Sequence, residues 1–255
     1  MPTIEYATEG HRAVFTINRP EARNAVNEAV ANGIEEAVDR LEADDDLWVG
    51  ILTGVPPVFS AGADLKEINA GRAASLQTAR GGFAGITRRK RTKPIIAAVD
   101  GPALAGGTEI TLACDLIVAS TTATFGVPEV KRSLVAAAGG LFRLPRKLPF
   151  NVATELILTG DPIDATRAHH FGLVNVLCEP GEAMAKAREL AARIEANAPV
   201  AVRASRHVVL AAMTEGEDAG WRLSGEAMAK AMGSEDFKEG LVAFIEKRPP
   251  TWTGR

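Results

Sequence analysis

Apolar residues at Val26, Val30, Ile34, Val38 and Leu41 recur at steps of three and four, which predicts an amphipathic helix. Ahead of it, residues 3–7 and 13–18 read as two short strands, and Pro20 in "NRPEARN" breaks the pattern between strand and helix. "LWVGILTG", "PIIAAVDG" and "DLIVAS" are near-continuous apolar runs of strand length, the mark of strands buried on both faces. Strands alternating with helices in this order indicate an α/β domain.

From about Gly139 onward the character changes. "GGLFRLPRKLP", "VATELILTG", "ATRAHHFGL", "AMAKARELAARIEA" and "VAVRASRHVVLAAM" all read as helices, and "LVNVLC" is the one late strand expected. "SEDFKEGLVAFIEKR" reads as a closing helix with Ser234 as its N-cap. A strand-rich body thus leads into a helical C-terminal part, with no fixed-period repeat and no low-complexity linker.

The 255 residues are nearly half apolar, enough for a sizeable core in one large domain or a domain with an appendage. A net charge of −3 with interspersed signs gives no footprint for nucleic acid. Cys114 and Cys178 lie far apart and outside any CxxC or Cys/His cluster, as expected of a reduced, cytoplasmic protein. Residues 1–7 have neither a basic stretch nor an apolar core, so no signal peptide is expected there. No apolar run approaches the ~20 residues of a membrane helix.

Several chemistries have no support in the motifs. GxSxG, HExxH, GxxxxGK[ST] and a helix-opening GxGxxG are all missing. His169 and His170 are adjacent on a predicted helix and point different ways, so no metal site is expected. His11 and His207 read as surface or satisfied histidines, and Cys114 as a core residue.

Two segments remain, "FSAGADLKE" (residues 59–67) and "DGPALAGGTEITLACD" (residues 100–115). Each follows an apolar strand and sets small residues just before a helix start. Helix N-termini leave backbone N–H groups unpaired and favour negative charge. Two facing termini would form a two-amide oxyanion hole, with small side chains admitting a ligand to the backbone. Taken singly, a Gly-rich turn only permits a tight connection. The second segment adds Glu109 near the start of its helix, and Glu129 follows in "TFGVPEV". A carboxylate on an apolar helix is costly unless paired or used. Lys66 and Glu67 read as a solvated helix face, and "RRKRTK" (residues 88–93) as a solvated helix end. Asp115 reads as structural. Phe83 and Trp221 are expected either to line a pocket or to pack.

These residues resemble the crotonase superfamily, the enoyl-CoA hydratase/isomerase family, over essentially the whole chain. The matching landmarks are "NRPEARNAV", "FSAGADLKE", "KPIIAAVDGPALAGGTEITLACDLIVAS", "FGVPEV", "LTGDPIDA", "GLVNVL" and "EGLVAFIEKR". "GGFAGIT", "GGLFRLP" and "EKRPPTWTGR" are most similar to enoyl-CoA hydratases and carnitinyl-CoA dehydratase-like members. The resemblance implies a crotonase-type spiral of ββα units, with residues 1–195 as the core carrying the acyl-CoA site and residues 196–255 as a helical trimerisation region. It implies oxyanion amides at Ala63 and Gly106 and catalytic carboxylates at Glu109 and Glu129. It places Ala22, Arg23, Ala25, Ala61, Asp64 and Leu65 along the CoA moiety, with Phe244 and Lys247 reaching the CoA of a neighbouring subunit in a homotrimer or a dimer of trimers.

The implied activity is hydration of a 2-enoyl-CoA. The CoA belongs to the substrate, no cofactor or metal is needed, and no nucleic acid or membrane partner is implied. A Δ3,Δ2-enoyl-CoA isomerase, a carnitinyl-CoA-type dehydratase and a non-catalytic acyl-CoA-binding protein are the alternatives; the presence of both Glu109 and Glu129 speaks against the isomerase and the binder. Two departures stand out. Ala105 occupies a position where many hydratases have glycine, and an alanine there is expected to stay out of positive φ. "SLVAAAGGLFRLP" replaces the "PGAGGTQRL" type of segment, a difference that bears on acyl specificity more than on the reaction.

Overall fold

In the computed structural model, which describes residues 2–255, an antiparallel hairpin of β1 (Ile4–Glu9) and β2 (Arg12–Ile17) opens the chain. The helix predicted from its apolar steps is α1 (Glu28–Ala43), N-capped by Asn27, whose Oδ1 accepts from Val30 N–H at 3.0 Å. Then follow β3 (Val49–Gly54), the one-turn α2 (Leu65–Asn69) and a small hairpin of β4 (Gln77–Thr78) and β5 (Gly82–Phe83). The next stretch holds β6 (Ile95–Val99), β7 (Ala103–Leu104), α3 (Gly106–Ala113), β8 (Leu116–Ser120) and β9 (Thr124–Gly126). Beyond a 3-10 helix at Pro128–Arg132 come α4 (Gly140–Lys147), α5 (Phe150–Thr159), β10 (Ile163–Asp164), α6 (Ala165–His170), β11 (Val176–Cys178) and α7 (Ala183–Glu195). Three helices close the chain, α8 (Pro199–Glu215), α9 (Glu217–Met232) and α10 (Glu235–Glu246).

The main sheet has the order β1-β2-β3-β6-β8-β11, parallel from β2 onward. Its central strands are buried on both faces because each face has its own cover. Phe15, Leu52, Ile95, Ala97 and Val99 pack with the apolar stripe of α1. Their alternating neighbours Val14, Ile51, Ile96, Ala98 and Val118 pack against Ala183, Ala187 and Ala191 of α7. The period of two along these strands therefore sends alternate side chains into two separate cores.

A second, smaller layer stacks beyond the strand ends. β7 pairs with β9 in parallel, Ser60 forms an isolated parallel bridge to Ala103, and β10 adds antiparallel to β9. Each of β3, β6 and β8 thus feeds a short step in this layer and then a helical turn. That is the ββα spiral, and it brings the starts of α2, α3 and the 3-10 helix at Pro128 to one side.

Several local expectations need correction. Residues 88–93 are not helical and only half solvated: Arg88, Lys90 and Thr92 are exposed, but the other three are tied down. Arg91 donates to Asp115 Oδ2 at 2.5 Å, Arg89 pairs with Asp39, and Lys93 is buried with its Nζ on the carbonyls of Leu41 (2.7 Å) and Asp44 (2.6 Å). Asp115, read as structural, also receives Arg206 Nε at 2.8 Å from α8 and so ties the C-terminal helices to the body. Ser234 stands at the N-cap position of α10, but its hydroxyl donates back to Ala231 O at 2.6 Å instead of accepting from the helix. Helix α9 was not anticipated: of its apolar residues only Leu223 is buried, so it carries no core-facing stripe to read. Trp221, 72% exposed on α9, lines no acyl pocket.

Candidate active site

The two small-residue segments meet, and their glycines are where they touch. Gly62 has φ +85°, and a Cβ there would lie 2.6 Å from Gly106 N and 3.0 Å from Ala105 Cβ. A Cβ on Gly106 would lie 2.4 Å from the Phe83 ring, and one on Gly107 would lie 2.1 Å from Ser60 O. Side chains are absent here because backbone must pass backbone. Among the described residues, the Ala63 and Gly106 amides donate to no protein acceptor, and both residues line one cavity. Around them the frame is tied. Thr108 Oγ1 lies 2.7 and 2.8 Å from the carbonyls of Ala103 and Gly126 and accepts from Gly126 N–H at 2.9 Å. The start of α3 is thereby fixed to β7 and β9.

Ala105 overturns the expectation made for it. It adopts φ +54°, ψ −126°, a conformation that suits glycine. The chain has no alternative route. The Ala105 N–H donates to Gly126 O at 2.9 Å while its carbonyl accepts from Glu109 N–H at 3.2 Å, so it must serve β9 on one side and α3 on the other. The next amide, Gly106 N–H, donates to neither of them. Strain of this kind costs roughly 1–3 kcal/mol and persists where the surroundings over-determine it.

Glu109, in the first turn of α3, is 3% exposed and faces the same cavity. Its Oε1 accepts from Gly140 N–H at 2.9 Å, at the start of α4. Burial pushes its carboxyl up to about 7; the Gly140 amide opposes the rise, and the neighbouring Glu129 adds to it. Glu129 sits in the 3-10 helix, and its carboxyl too is raised by burial. Its Oε2 is buried with no partner among the described residues. One carboxylate is therefore held by a donor and the other is left with an unused oxygen.

Both segments, both carboxylates and the expected CoA-side residues line a single cavity of about 1190 Å³. Ala22, Arg23, Ala25, Ala61, Asp64 and Leu65 are among its lining residues. Arg23 there has φ +54°, its N–H donates to Pro20 O, and its carbonyl accepts from Ala61 N–H at 3.0 Å. Asp64 caps α2 through Lys66 N–H at 2.9 Å and takes Arg19 Nη1 at 2.6 Å. Burial raises the Asp64 carboxyl, but the Arg19 bond and the Lys66 amide outweigh it and hold the group low. Phe244 and Lys247 do not line this chain's cavity; Phe244 is 83% exposed on α10, and Lys247 ends that helix with φ +55°. Phe83 does line it, packed at Gly106.

Three residues at the site were not read from the sequence. Gly140 donates to Glu109, and Arg143 and Thr87, which both line the cavity, are joined by Arg143 Nη2 on Thr87 O at 2.6 Å. The available signal was the Gly139–Gly140 pair three residues before an arginine on a predicted helix, which sets an open amide and a cation on adjacent turns. Among the described residues no cluster of three His, Cys, Asp or Glu is placed to hold a metal ion.

Comparison with known proteins agrees with this geometry. Residues 8–255 match the sequence model of the enoyl-CoA hydratase/isomerase family. The mevalonyl-coenzyme A hydratase of Aspergillus fumigatus is 41% identical, over 95% of this chain and 91% of that protein. The carnitinyl-CoA dehydratase of Salmonella typhi is 39% identical, over 94% of each. A crystal structure of an enoyl-CoA hydratase from Mycobacterium tuberculosis superposes with a TM-score of 0.96 at 47% identity, covering 100% of both chains. The chain belongs to the enoyl-CoA hydratase/isomerase family.

Proposed function

We propose that the protein is an enoyl-CoA hydratase, adding water reversibly across the C2–C3 double bond of a trans-2-enoyl-CoA. The observation that carries this reading is the pair of carboxyl groups, buried Glu109 and half-buried Glu129, in one cavity with the two free amides of Ala63 and Gly106. An isomerase needs one base, whereas hydration uses two groups on one water. The relatives named as hydratase and dehydratase point to the same reaction type.

The thioester carbonyl oxygen accepts from Ala63 N–H and Gly106 N–H, which stabilise the enolate formed as water attacks C3. One such donor is typically worth ~3–4 kcal/mol. Glu109, whose charged form the Gly140 amide favours, takes the proton from water as the O–C3 bond forms. Glu129, whose unpartnered oxygen suits the protonated form, delivers a proton to C2 from the same wall, giving syn addition. Two adjacent carboxyls sharing one charge make this mixed protonation reasonable. No redox or metal step is called for, and CoA enters as part of the substrate.

The wider reading is a cytoplasmic homotrimer or dimer of trimers. Its support is the apolar surface of the last three helices, where Val209, Met213, Trp221, Met228, Phe244 and Ile245 are all exposed. A second copy covering that surface would bring Phe244 and Lys247 toward a neighbour's CoA. No helix among the described residues is long and apolar enough to cross a membrane.

The test is turnover of crotonyl-CoA, followed by loss of the enoyl-thioester absorbance. Glu109→Gln and Glu129→Gln should each lower kcat by roughly 10²–10⁴-fold. The double variant should lose much less than the product of the single losses, because the two act on one water. Wild-type hydration with full activity in Glu129→Gln would end the two-carboxylate mechanism. Tolerance of one change, with activity on 3-enoyl substrates, would identify an isomerase.

A further inference from the structure

Arg143 holds a charge that no carboxylate neutralises at close range. Arg89, Arg91 and Arg206 pair with Asp39 or Asp115, whereas Arg143 forms no ion pair among the described residues. Its Nη2 donates to Thr87 O at 2.6 Å, and its Nη1 is enclosed without a partner. The head of the side chain therefore serves the wall of the cavity and is not offered to what enters it. A cation kept from water without a paired acid is costly, which calls for a reason.

Its contacts supply one. The guanidinium folds back over the start of its own helix: a Cβ on Gly139, which has φ +121°, would lie 2.8 Å from Arg143 Nη1 and 3.2 Å from its Cζ. The Arg143 N–H donates to Gly139 O at 2.9 Å, and the next residue, Gly140, donates to Glu109 Oε1 at 2.9 Å. On the other side, Thr87 N–H donates to Phe83 O at 3.2 Å, and the Phe83 ring packs on Gly106. One side chain thus ties the turn that supplies the Glu109 amide to the segment that packs on an oxyanion amide. Its charge also reaches the site. At Glu109, burial raises the carboxyl and the Gly140 amide lowers it; Glu129 raises it, and the Ala138 amide and the Arg143 charge lower it. Glu129 answers to burial, its own backbone and Arg132 instead. Around Arg143 itself, burial works against the charged form, Glu109 and Cys114 favour it, and Arg91 and Arg146 oppose it.

We infer that Arg143 is a positioning residue for the proposed hydration, acting through Glu109: it clamps the Gly139–Gly140 turn to the Thr87 segment and sets a fixed positive charge within electrostatic reach of the base. The inference rests on the hydratase reading of the same site, in which Glu109 must be ionised to take a proton from water. Loss of the charge raises the proton affinity of Glu109, so a smaller share of the base is ionised at neutral pH and below. Loss of the clamp frees the amide that favours its charged form. Both effects lower turnover, and neither removes a contact to substrate.

The experiment measures kcat and KM for crotonyl-CoA in wild type, Arg143→Gln and Arg143→Lys between about pH 6 and about pH 9. Arg143→Gln keeps a donor for Thr87 O without the charge; it should lower kcat about tenfold or more at neutral pH and leave KM within about threefold. Its deficit should be about threefold or more larger at the acid end than at the alkaline end, because the base now ionises at higher pH. Arg143→Lys, which keeps the charge, should restore the wild-type dependence on pH. A deficit that is the same at every pH marks a merely structural role and overturns the inference. A raised KM with unchanged kcat makes Arg143 a substrate contact and overturns it too, as does full activity in Arg143→Gln. NMR of protein carrying carboxyl-labelled glutamate, with the Glu109 signal assigned by its loss in Glu109→Gln, reads the same effect without turnover: the Glu109 titration should move to higher pH in Arg143→Gln. Should wild type fail to hydrate crotonyl-CoA, the hydratase reading falls on its own; a titration that stays in place removes the influence of Arg143 on Glu109, and one that moves upholds it. Arg143→Met carries the same expectations where Arg143→Gln does not fold.

Discussion

Replacing Glu109 by glutamine should stabilise the protein while disabling it, and the gain should depend on pH in a calculable way. An ordinary glutamate titrates near 4.5, whereas folded Glu109 is pushed up to about 7, chiefly by burial. The folded state therefore binds its proton more tightly than the unfolded chain does. Below about 4.5 both states hold the proton and the group costs nothing. As pH rises through this window the unfolded chain gains by ionising first, and above about 7 the full cost is in place. At ~1.4 kcal/mol per tenfold in proton affinity, that cost is ~3 kcal/mol. Linkage puts it at about 1 kcal/mol at pH 5 and about 3 kcal/mol at pH 8. Glutamine cannot ionise, and its Oε1 can still accept from Gly140 N–H. Glu109→Gln should thus gain about 2 kcal/mol more over wild type at pH 8 than at pH 5. Urea unfolding of both proteins at fixed protein concentration and ionic strength, across that range, measures it. A wild-type-to-variant difference that stays constant with pH to within ~0.5 kcal/mol would refute the reasoning.

Two further substitutions probe the frame. Ala105→Gly should relieve the positive-φ strain and, after the entropy lost to a more flexible unfolded chain, raise stability by about 1 kcal/mol; a fall in the denaturation midpoint would show that Ala105 is not strained. Lys93→Met should cost about 2–3 kcal/mol, because the C-terminal carbonyls of α1 at Leu41 and Asp44 lose their buried donor; an unchanged thermal midpoint would mean water replaces it freely.

How much of this was legible depended on what each residue answers to. The buried strands and α1 could be read because burial imposes a period on the sequence itself. Glu109 could be singled out because an acid on an apolar helix violates that pattern and demands a reason. The charges in residues 88–93 misled because Arg91, Arg206 and Asp115 are 24 to 91 positions apart in their pairings, and pairing is invisible until the chain is folded. Helix α9 escaped because, of its apolar residues, only Leu223 is buried. Ala105 was misjudged because a local preference was weighed without the two backbone bonds that hold it. Thr87 and Arg143 meet across 56 positions, and neither is unusual in its own segment.

The Gly140–Glu109 bond carries a consequence for how such an enzyme changes its diet. The cavity-lining residues Leu134, Val135, Ala137, Ala138 and Gly139 run directly into the amide bonded to Glu109, the base proposed above, and a Cβ on Gly140 would lie 3.2 Å from Glu109 Oε1. Substrate preference and chemical competence therefore share one piece of backbone. A library that varies residues 134–138 to accept a bulkier acyl group should lose turnover even on substrates too short to touch the new side chains. Variants that broaden the range without that loss should be found at Leu76 or Phe142, which line the cavity and are not among the groups felt at Glu109. Adaptation to a new acyl group in this protein is thus an epistatic problem in one segment and a nearly free choice outside it.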